Sequence, residues 1–453
     1  MKTTFTKTAA SLIISSLFLF SQITKAQTWD SVGPGFDNGV NALAVYNGQL
    51  YAGGAFMYSG YNSTNYMAKW SDSAWSPVGT GMNSYVLSLA AGTDGLYAGG
   101  YFWNAGGNSA NAVAKWNDSN WNSLNTGLYF PGGASVNSLA YYNNTLYVGG
   151  LFTQAGNNNA INAAQWNGSN WSAMHNGFNN VVNAMVMYDG ILFAAGNFDS
   201  ADGVPVNHIA IWDGTEWKSI AGGVNGNVNS MAVYNGLLYV GGGFDSAGGK
   251  PAVSMARWNG MSWSAVGSGM SQSSSVNALV EYNGNLYAGG SFDSAGGVQA
   301  WYIAKWDGSK WDSVGAGLNN TVNALVVFDS SLYVGGWFTY AENTQVNYIA
   351  KWTDKPVFVT AINNVTKAVS SKVYPNPSTG TFNISLNNYE PGNAGYVQVY
   401  NLLGETVYTQ KAEQGNALGV VSVNMTGKPA GTYIYRVFSG EGQAVSEGKL
   451  ILE

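Results

Sequence analysis

LYVGGWF, residues 332–338, ends a short apolar run on a glycine pair and then turns aromatic. The chain uses the same phrase six times before. LYAGG stands at 50–54, 96–100 and 286–290, LYVGG at 146–150 and 238–242, and LFAAG at 192–196. The second glycines (Gly54, Gly100, Gly150, Gly196, Gly242, Gly290 and Gly336) follow one another at steps of 46, 50, 46, 46, 48 and 46 residues. Sixteen residues after each comes a tryptophan: Trp70, Trp116, Trp166, Trp212, Trp258, Trp306 and Trp352. Five residues after the first six of these comes another: Trp75, Trp121, Trp171, Trp217, Trp263 and Trp311. Spacing this regular signals one tertiary unit used repeatedly.

Each unit reads as four strands. VNALVEY (276–282) alternates with period two, the glycine-pair strand follows, and YIAKW (302–306) and KWDSVG (310–315) complete the set. Asn47-Gly48, Asp189-Gly190, Asn235-Gly236 and Asn283-Gly284 join the first two strands, and such dipeptides accept the positive φ that a type I′ hairpin demands. Asn167-Gly168, Asp213-Gly214, Asn259-Gly260 and Asp307-Gly308 predict a second hairpin of the same kind between the last two. A four-stranded unit of this length is a propeller blade. Trp29, in QTWDSVG (27–33), is a fourth-strand tryptophan with no strands before it, whereas the seventh copy stops at Trp352 without its fourth strand. The expected fold is therefore all-β: a seven-bladed β-propeller closed by an N-terminal strand, so that no ring edge stays open. The repeated Leu, Tyr, Gly and Trp read as packing residues, the glycines allowing close backbone approach.

Composition narrows the function. Charged residues make up 9% of the 453, aromatics 14%, and there are 60 glycines, which suits strands and tight turns. A net charge of -6 without a basic stretch argues against a nucleic-acid partner. With no cysteine and two histidines, His175 and His208, thiolate chemistry is excluded and a multi-histidine metal site is disfavoured. Residues 1–26 combine Lys2 and Lys7, an apolar stretch from Ala9 to Phe20, and Thr24-Lys25-Ala26, the pattern of a secretory signal peptide. No other apolar run is long enough for a transmembrane helix.

Residues 27–356 resemble kelch-type propellers, in which a glycine doublet ends the second strand and two aromatics follow. The resemblance implies the fold and says little of activity. After a linker at 357–371 the wording changes. VYPNPSTGTFNI (373–384), VYNLLGETV (399–407), PAGTYIYRV (429–437) and GKLILE (448–453) occur in order within a predicted small β-sandwich at 372–453. Together they resemble the type A C-terminal sorting domain of the type IX secretion system. That resemblance puts the sorting motif on Tyr374, Pro375, Asn376, Pro377, Gly431, Thr432, Tyr433, Gly448 and Lys449. It implies the type IX translocon and its sorting machinery as partners, and an extracellular or outer-membrane-surface location in a Gram-negative bacterium.

Candidate chemistry is sparse. Asp-Gly-x-x-Trp at 213–217 and 307–311 is one residue short of a sialidase Asp-box, and the propeller segment has one arginine, Arg257, where sialidase chemistry needs a cluster. Asp199, Asp245 and Asp293 open FDSADG, FDSAGG and FDSAGG. They are weak candidates for a hard cation, against the simpler reading that each caps its own loop in an Asx-turn. Ser31, Ser73, Ser200, Ser246, Ser294 and Ser313 sit in D-S-aliphatic triplets that resemble bacterial O-glycosylation acceptors. No catalytic set and no cofactor is predicted. The leading reading is a non-enzymatic secreted or surface module that binds glycans or proteins; the alternatives are an enzyme of unrecognised type and a structural matrix component. The expected binding site follows from where the repeats disagree. Trp103, Trp301 and Trp337 fall outside the repeat frame, and Met57, Tyr58, Tyr101 and Tyr340 join them at loop starts where the fourth to sixth copies carry Asn, Gly, Ser and Asp.

Overall fold

The computed structural model describes residues 27–353, 371–386, 396–401, 406–411, 420–438 and 444–453. The expected signal peptide, the linker up to residue 370 and residues 402–405 of the second sorting motif lie outside them. Every helix or strand among the described residues is a strand, and residues 27–353 and the C-terminal segment belong to separate compact units.

Between residues 28 and 353 the strands form seven four-stranded antiparallel sheets. The first runs Val40–Tyr46, Gln49–Gly54, Met67–Trp70, Trp75–Pro77, and the pattern recurs along the chain. The last combines Val322–Phe328, Ser331–Gly336 and Ile349–Thr353 with the N-terminal Thr28–Ser31, where Trp29 lies opposite Trp352. The Trp29 and Trp352 rings are 5.0 Å apart, much like the 5.2 Å of Trp70 and Trp75. Each first strand neighbours the first strand of the next sheet, and Val40–Tyr46 also neighbours Val322–Phe328. The core lies between sheets: Tyr51 and Met67 of the first pack with Val86, Leu96 and Phe102 of the second.

The glycine pair has two separate jobs. A Cβ on the first glycine would meet the valine that opens the next sheet: Gly53 on Val86 at 2.4 Å, Gly99 on Val136 at 2.3 Å, Gly289 on Val322 at 2.3 Å, and Gly335 on Val40 at 2.5 Å. A Cβ on the second would strike a backbone carbonyl within its own sheet, such as Thr321 O at 2.2 Å from Gly336 or Ser135 O at 2.0 Å from Gly150. The second tryptophan of each pair then bolts sheet to sheet. Trp121 Nε1 donates to Val78 O at 2.8 Å, and Trp171 Nε1 to Leu124 O at 2.8 Å. Among the described residues, Trp29 Nε1 is buried without such a partner.

The turns divide into two kinds. Asn47-Gly48, Asp189-Gly190, Asn235-Gly236 and Asn283-Gly284 all have positive φ at both residues, as a type I′ turn requires. The turns between third and fourth strands differ from expectation. Trp166 pairs with Trp171, leaving four residues to turn, too many for that geometry. Of Asn167 and Gly168 only the glycine has positive φ, and Asn167 Oδ1 accepts from the amides of Ser169 and Asn170 at 3.0 and 2.8 Å. Asp213 and Asp307 hold the same kind of cap.

The second-to-third connections are also more ordered than simple loops. Each carries a two-residue hairpin, such as Tyr58–Ser59 with Asn62–Ser63. The connector arriving from the previous sheet bridges onto several of them, as Met82 does onto Ala105.

If the first glycine is small only to admit the neighbouring valine, Gly335→Ala should destabilise by about 1–3 kcal/mol, the usual range for overpacking. Val40→Ala should restore part of that loss. Gly336→Ala, which meets backbone, should be the worse of the two and gain nothing from Val40→Ala. Thermal melts of the four variants check this.

Candidate functional site

Because the sheets are antiparallel meanders, the tight turns fall at one end and the small hairpins and inter-sheet connectors at the other. At the connector end each sheet offers the residue just after its glycine pair, whose amide bonds to the residue two before the innermost strand's extra residue. Ala55 N meets Gly39 O, Tyr101 N meets Tyr85 O, Asn197 N meets Val181 O and Trp337 N meets Thr321 O, all at 2.9 Å. These positions therefore surround the start of the innermost strands. Trp337 and Tyr101 keep 42% and 48% of their surface exposed. A Cβ on Gly39 would stand 2.9 Å from the Trp337 ring, so the indole of the last sheet lies across the backbone of the first.

Further along the same connections the chain is clasped by a connector side chain. Asp37 Oδ1 accepts from the amides of Met57 and Tyr58, both at 2.9 Å. Asn83 Oδ1 takes those of Trp103 and Asn104 at 3.0 Å, and Asn319 Oδ1 those of Thr339 and Tyr340 at 2.9 and 3.0 Å. With the backbone held, each loop start buries one phenylalanine. Phe56, Phe102 and Phe338 turn into the core, while Met57, Tyr58, Trp103 and Tyr340 stand out, Trp103 with 63% exposed. Trp301 is exposed too, but it sits at the foot of a third strand, where its carbonyl accepts from Leu318 N. The arc thus holds Trp337, Tyr340, Met57, Tyr58, Tyr101 and Trp103, with Trp301 at its edge.

Two features were missed from the sequence. Tyr85 is exposed and packs its ring 5.9 Å from that of Tyr66, widening the aromatic wall. The second concerns the innermost strands, each of which carries a bulge after its opening valine. The extra residue is Asn41, Leu87, Asn137, Asn183, Asn229, Asn277 or Asn323. A bulge re-aims a side chain out of the normal alternation, and here it turns asparagines toward their neighbours in adjacent sheets. Asn183 Nδ2 reaches Asn229 Oδ1 at 3.2 Å, Asn229 Nδ2 reaches Asn277 Oδ1 at 3.2 Å, and Asn277 Nδ2 reaches Asn323 Oδ1 at 3.5 Å. The signal was present as Val-Asn at the head of six first strands, but alternation alone assigns those residues to ordinary sheet faces.

The aspartates go elsewhere than into Asx-turns. Asp199 Oδ1 accepts from Asn179 Nδ2 at 2.6 Å, Asp245 Oδ1 pairs likewise with Asn225, and Asp293 Oδ1 takes the hydroxyl of its neighbour Ser294. The connector, not the loop itself, satisfies the first two. At the turn end, Asn47, Tyr51, Lys69 and Asp118 line a cleft of about 220 Å³. Burial, reinforced by the nearby Asp118 carboxylate, pushes the Tyr51 hydroxyl up to about 12, so it stays protonated at neutral pH.

In the C-terminal unit, a three-stranded sheet (Ser371–Tyr374, Thr381–Leu386, Val420–Asn424) and a four-stranded sheet (Thr406–Lys411, Tyr396–Tyr400, Gly431–Phe438, Ala444–Leu452) share a core of Phe382, Ile384, Val399, Tyr435 and Leu450. The sorting wording joins its two ends. Asn376 donates to Lys449 O at 2.7 Å and accepts from Ile451 N at 2.8 Å. A Cβ on Gly448 would strike the Tyr435 ring at 2.6 Å, and Tyr433 donates to Pro429 O. Tyr374 is exposed, and Gly431 and Thr432 open the strand that pairs with the terminal one.

Residues 372–453 match the family described as "Secretion system C-terminal sorting domain", and residues 161–320 match "Rax2 C-terminal beta propeller domain". None of the curated proteins matches the chain. Among solved structures, an α-L-arabinofuranosidase from Clostridium thermocellum is similar over 61% of this chain and 93% of its own, at 14% identity and a TM-score of 0.24. That likeness is too slight to support an argument. No helix among the described residues is long and apolar enough to cross a membrane. The chain therefore joins a β-propeller to a type IX sorting tail, which marks it for secretion or the cell surface.

Deleting residues 372–453 in the native host should leave the protein in the periplasm, as fractionation and immunoblotting would report. Unchanged release or surface display would contradict a sorting role.

Proposed function

We propose that this chain is a secreted, non-catalytic glycan-binding protein. In this reading it is a kelch-like ring of seven blades, fastened by its N-terminal strand, exported behind a cleaved signal peptide and delivered by its sorting tail. The observation that carries the binding assignment is the one-sided aromatic arc at the connector end. Trp337, Tyr101, Trp103, Tyr340, Tyr58 and Met57 are exposed on the seventh, first and second sheets. The position after the glycine pair holds Asn197, Gly243 and Ser291 on the fourth to sixth. Monomeric surfaces rarely leave so many large rings together without a partner.

Aromatic faces flanked by amides suit a sugar, whose axial C–H groups pack on the ring while its hydroxyls exchange hydrogen bonds at the margin. The clasps from Asp37, Asn83 and Asn319 hold the backbone of Tyr58, Trp103 and Tyr340 in place before any ligand arrives, which lowers the ordering cost of binding.

Screening the full chain on a glycan array should give defined positives. Replacing Trp103, Trp337 and Tyr340 by Ala should weaken binding by roughly tenfold or more, about 1.4 kcal/mol. The melting temperature should move little, because substitutions at exposed sites usually stay within about 0.5 kcal/mol. Undiminished binding by the triple variant, or an array without positives beside capture of a surface protein, would overturn the glycan assignment.

A further inference from the structure

Gly39 breaks the repeat at the mouth of the first sheet. The carbonyl that faces the second glycine of each pair belongs here to Gly39, and on the other sheets to Tyr85, Ser135, Val181, Asn227, Ser275 and Thr321. Six of the seven copies thus carry a side chain at this position. The backbone does not explain the seventh. Gly39 lies outside the left-handed region that favours glycine. Its amide donates to Asn38 Oδ1 at 2.8 Å, as Val181 donates to Asn180 and Thr321 to Asn320 at the same distance. A path held in the same way carries valine on one sheet and threonine on another.

Trp337 explains the glycine. A Cβ on Gly39 would stand 2.9, 2.9 and 3.0 Å from Cδ2, Cε2 and Cε3 of that indole. Three bonded ring atoms at nearly one distance mean that the Cβ would point at the flat of the ring, not at its edge. Trp337 is itself an exception, since the residue after the glycine pair is elsewhere Ala55, Tyr101, Leu151, Asn197, Gly243 or Ser291. The largest residue at its position therefore meets the smallest at its own. Gly39 is buried, yet Trp337 keeps 42% of its surface exposed. With one face seated on backbone, that exposure belongs to the edges of the ring and its opposite face.

We propose that Gly39 is a positioning residue of the binding arc: by lacking a side chain it seats the Trp337 indole flat across the first sheet and leaves the opposite face open for a pyranose ring. The inference rests on the glycan reading above and adds to it the residue that aims its platform. A side chain at 39 would lift the ring, since carbon atoms in contact settle at about 3.5–4.0 Å. For a single methyl group the lift is about 0.5 Å, which is the tolerance within which a binding group must be held. Gly39 itself touches no sugar. It acts through Trp337, and the platform exists only where the last sheet meets the first.

The test is a double-mutant cycle on the full-length protein, with Gly39→Val, Trp337→Ala and their combination. Valine is the right replacement, since Val181 shows that the position accepts it. The probe is a glycan array printed with cello-, xylo-, manno-, galacto- and chito-oligosaccharides. Hydroxyl-radical footprinting reads the exposure of Trp337 without any sugar. Gly39→Val should melt close to wild type and oxidise faster at Trp337. Its array signals should weaken by roughly tenfold, as those of Trp337→Ala do. The double variant should bind no more weakly than Trp337→Ala alone. Gly39→Ala, the smaller step, should fall between wild type and Gly39→Val, and it carries the test if valine disturbs the fold. Array signals that survive both Gly39 variants, unchanged oxidation of Trp337, or additive losses in the double variant would each overturn this inference while the glycan reading stands. An array on which wild type binds nothing would overturn the glycan reading and this inference with it.

Discussion

The structure rests on one contact: a glycine at the end of a second strand, with the opening valine of the next sheet pressed against it. Five of these contacts would put a glycine Cβ within 2.3–2.5 Å of a valine methyl, closer than any side chain allows. The absence of a side chain at that point lets neighbouring sheets approach until their innermost strands touch. The contact from Gly335 to Val40 joins the last sheet to the first, and Thr28–Ser31 completes the last sheet by pairing with Ile349–Thr353. Where the fourth copy writes Ala195 for that glycine, the alanine is still fully buried against Val228.

Near-symmetry of this kind frees the connector end for variation. The tryptophan bonds and core clusters hold the sheets, so residues at the loop starts can change without loss of packing. The buried phenylalanine inside each loop start and the connector clasp on its amides keep the backbone path constant from sheet to sheet. Chemistry can then be written one position at a time, rings on one side of the mouth and small polar groups on the other. The same separation explains why the carboxylates at the turn end offer so little: Asp213 and Asp307 are occupied capping turns. Asp213 is held well below the ordinary carboxylate range by the Glu216 and Thr215 amides it accepts from.

Much of this was legible in the sequence because tryptophan and glycine are intolerant markers. An indole paired across a hairpin and a glycine with a neighbour at its Cα allow no drift in spacing, so strand order and unit length could be counted. The sorting tail was legible for the same reason: Asn376 bonds the terminal strand, and Gly448 makes room for Tyr435. The misreadings arose where one residue type serves two geometries. Asp-Gly and Asn-Gly suit both a two-residue type I′ turn and a four-residue capped turn, and only the paired tryptophans tell them apart. Asp199 and Asp245 could cap their own loops, but a connector asparagine reaches them first. Val-Asn recurs at the head of six first strands, but the side those asparagines take was not legible, because a bulge breaks the period-two rule from which strand faces are read.

The central claim is that the exposed aromatic arc on the seventh, first and second sheets is a glycan-binding surface. A crystal structure of the full-length protein with an oligosaccharide that it binds tests it most directly. The account predicts a pyranose ring stacked on Trp103, Trp337 or Tyr340. A sugar seated elsewhere, with those three rings untouched, would contradict it.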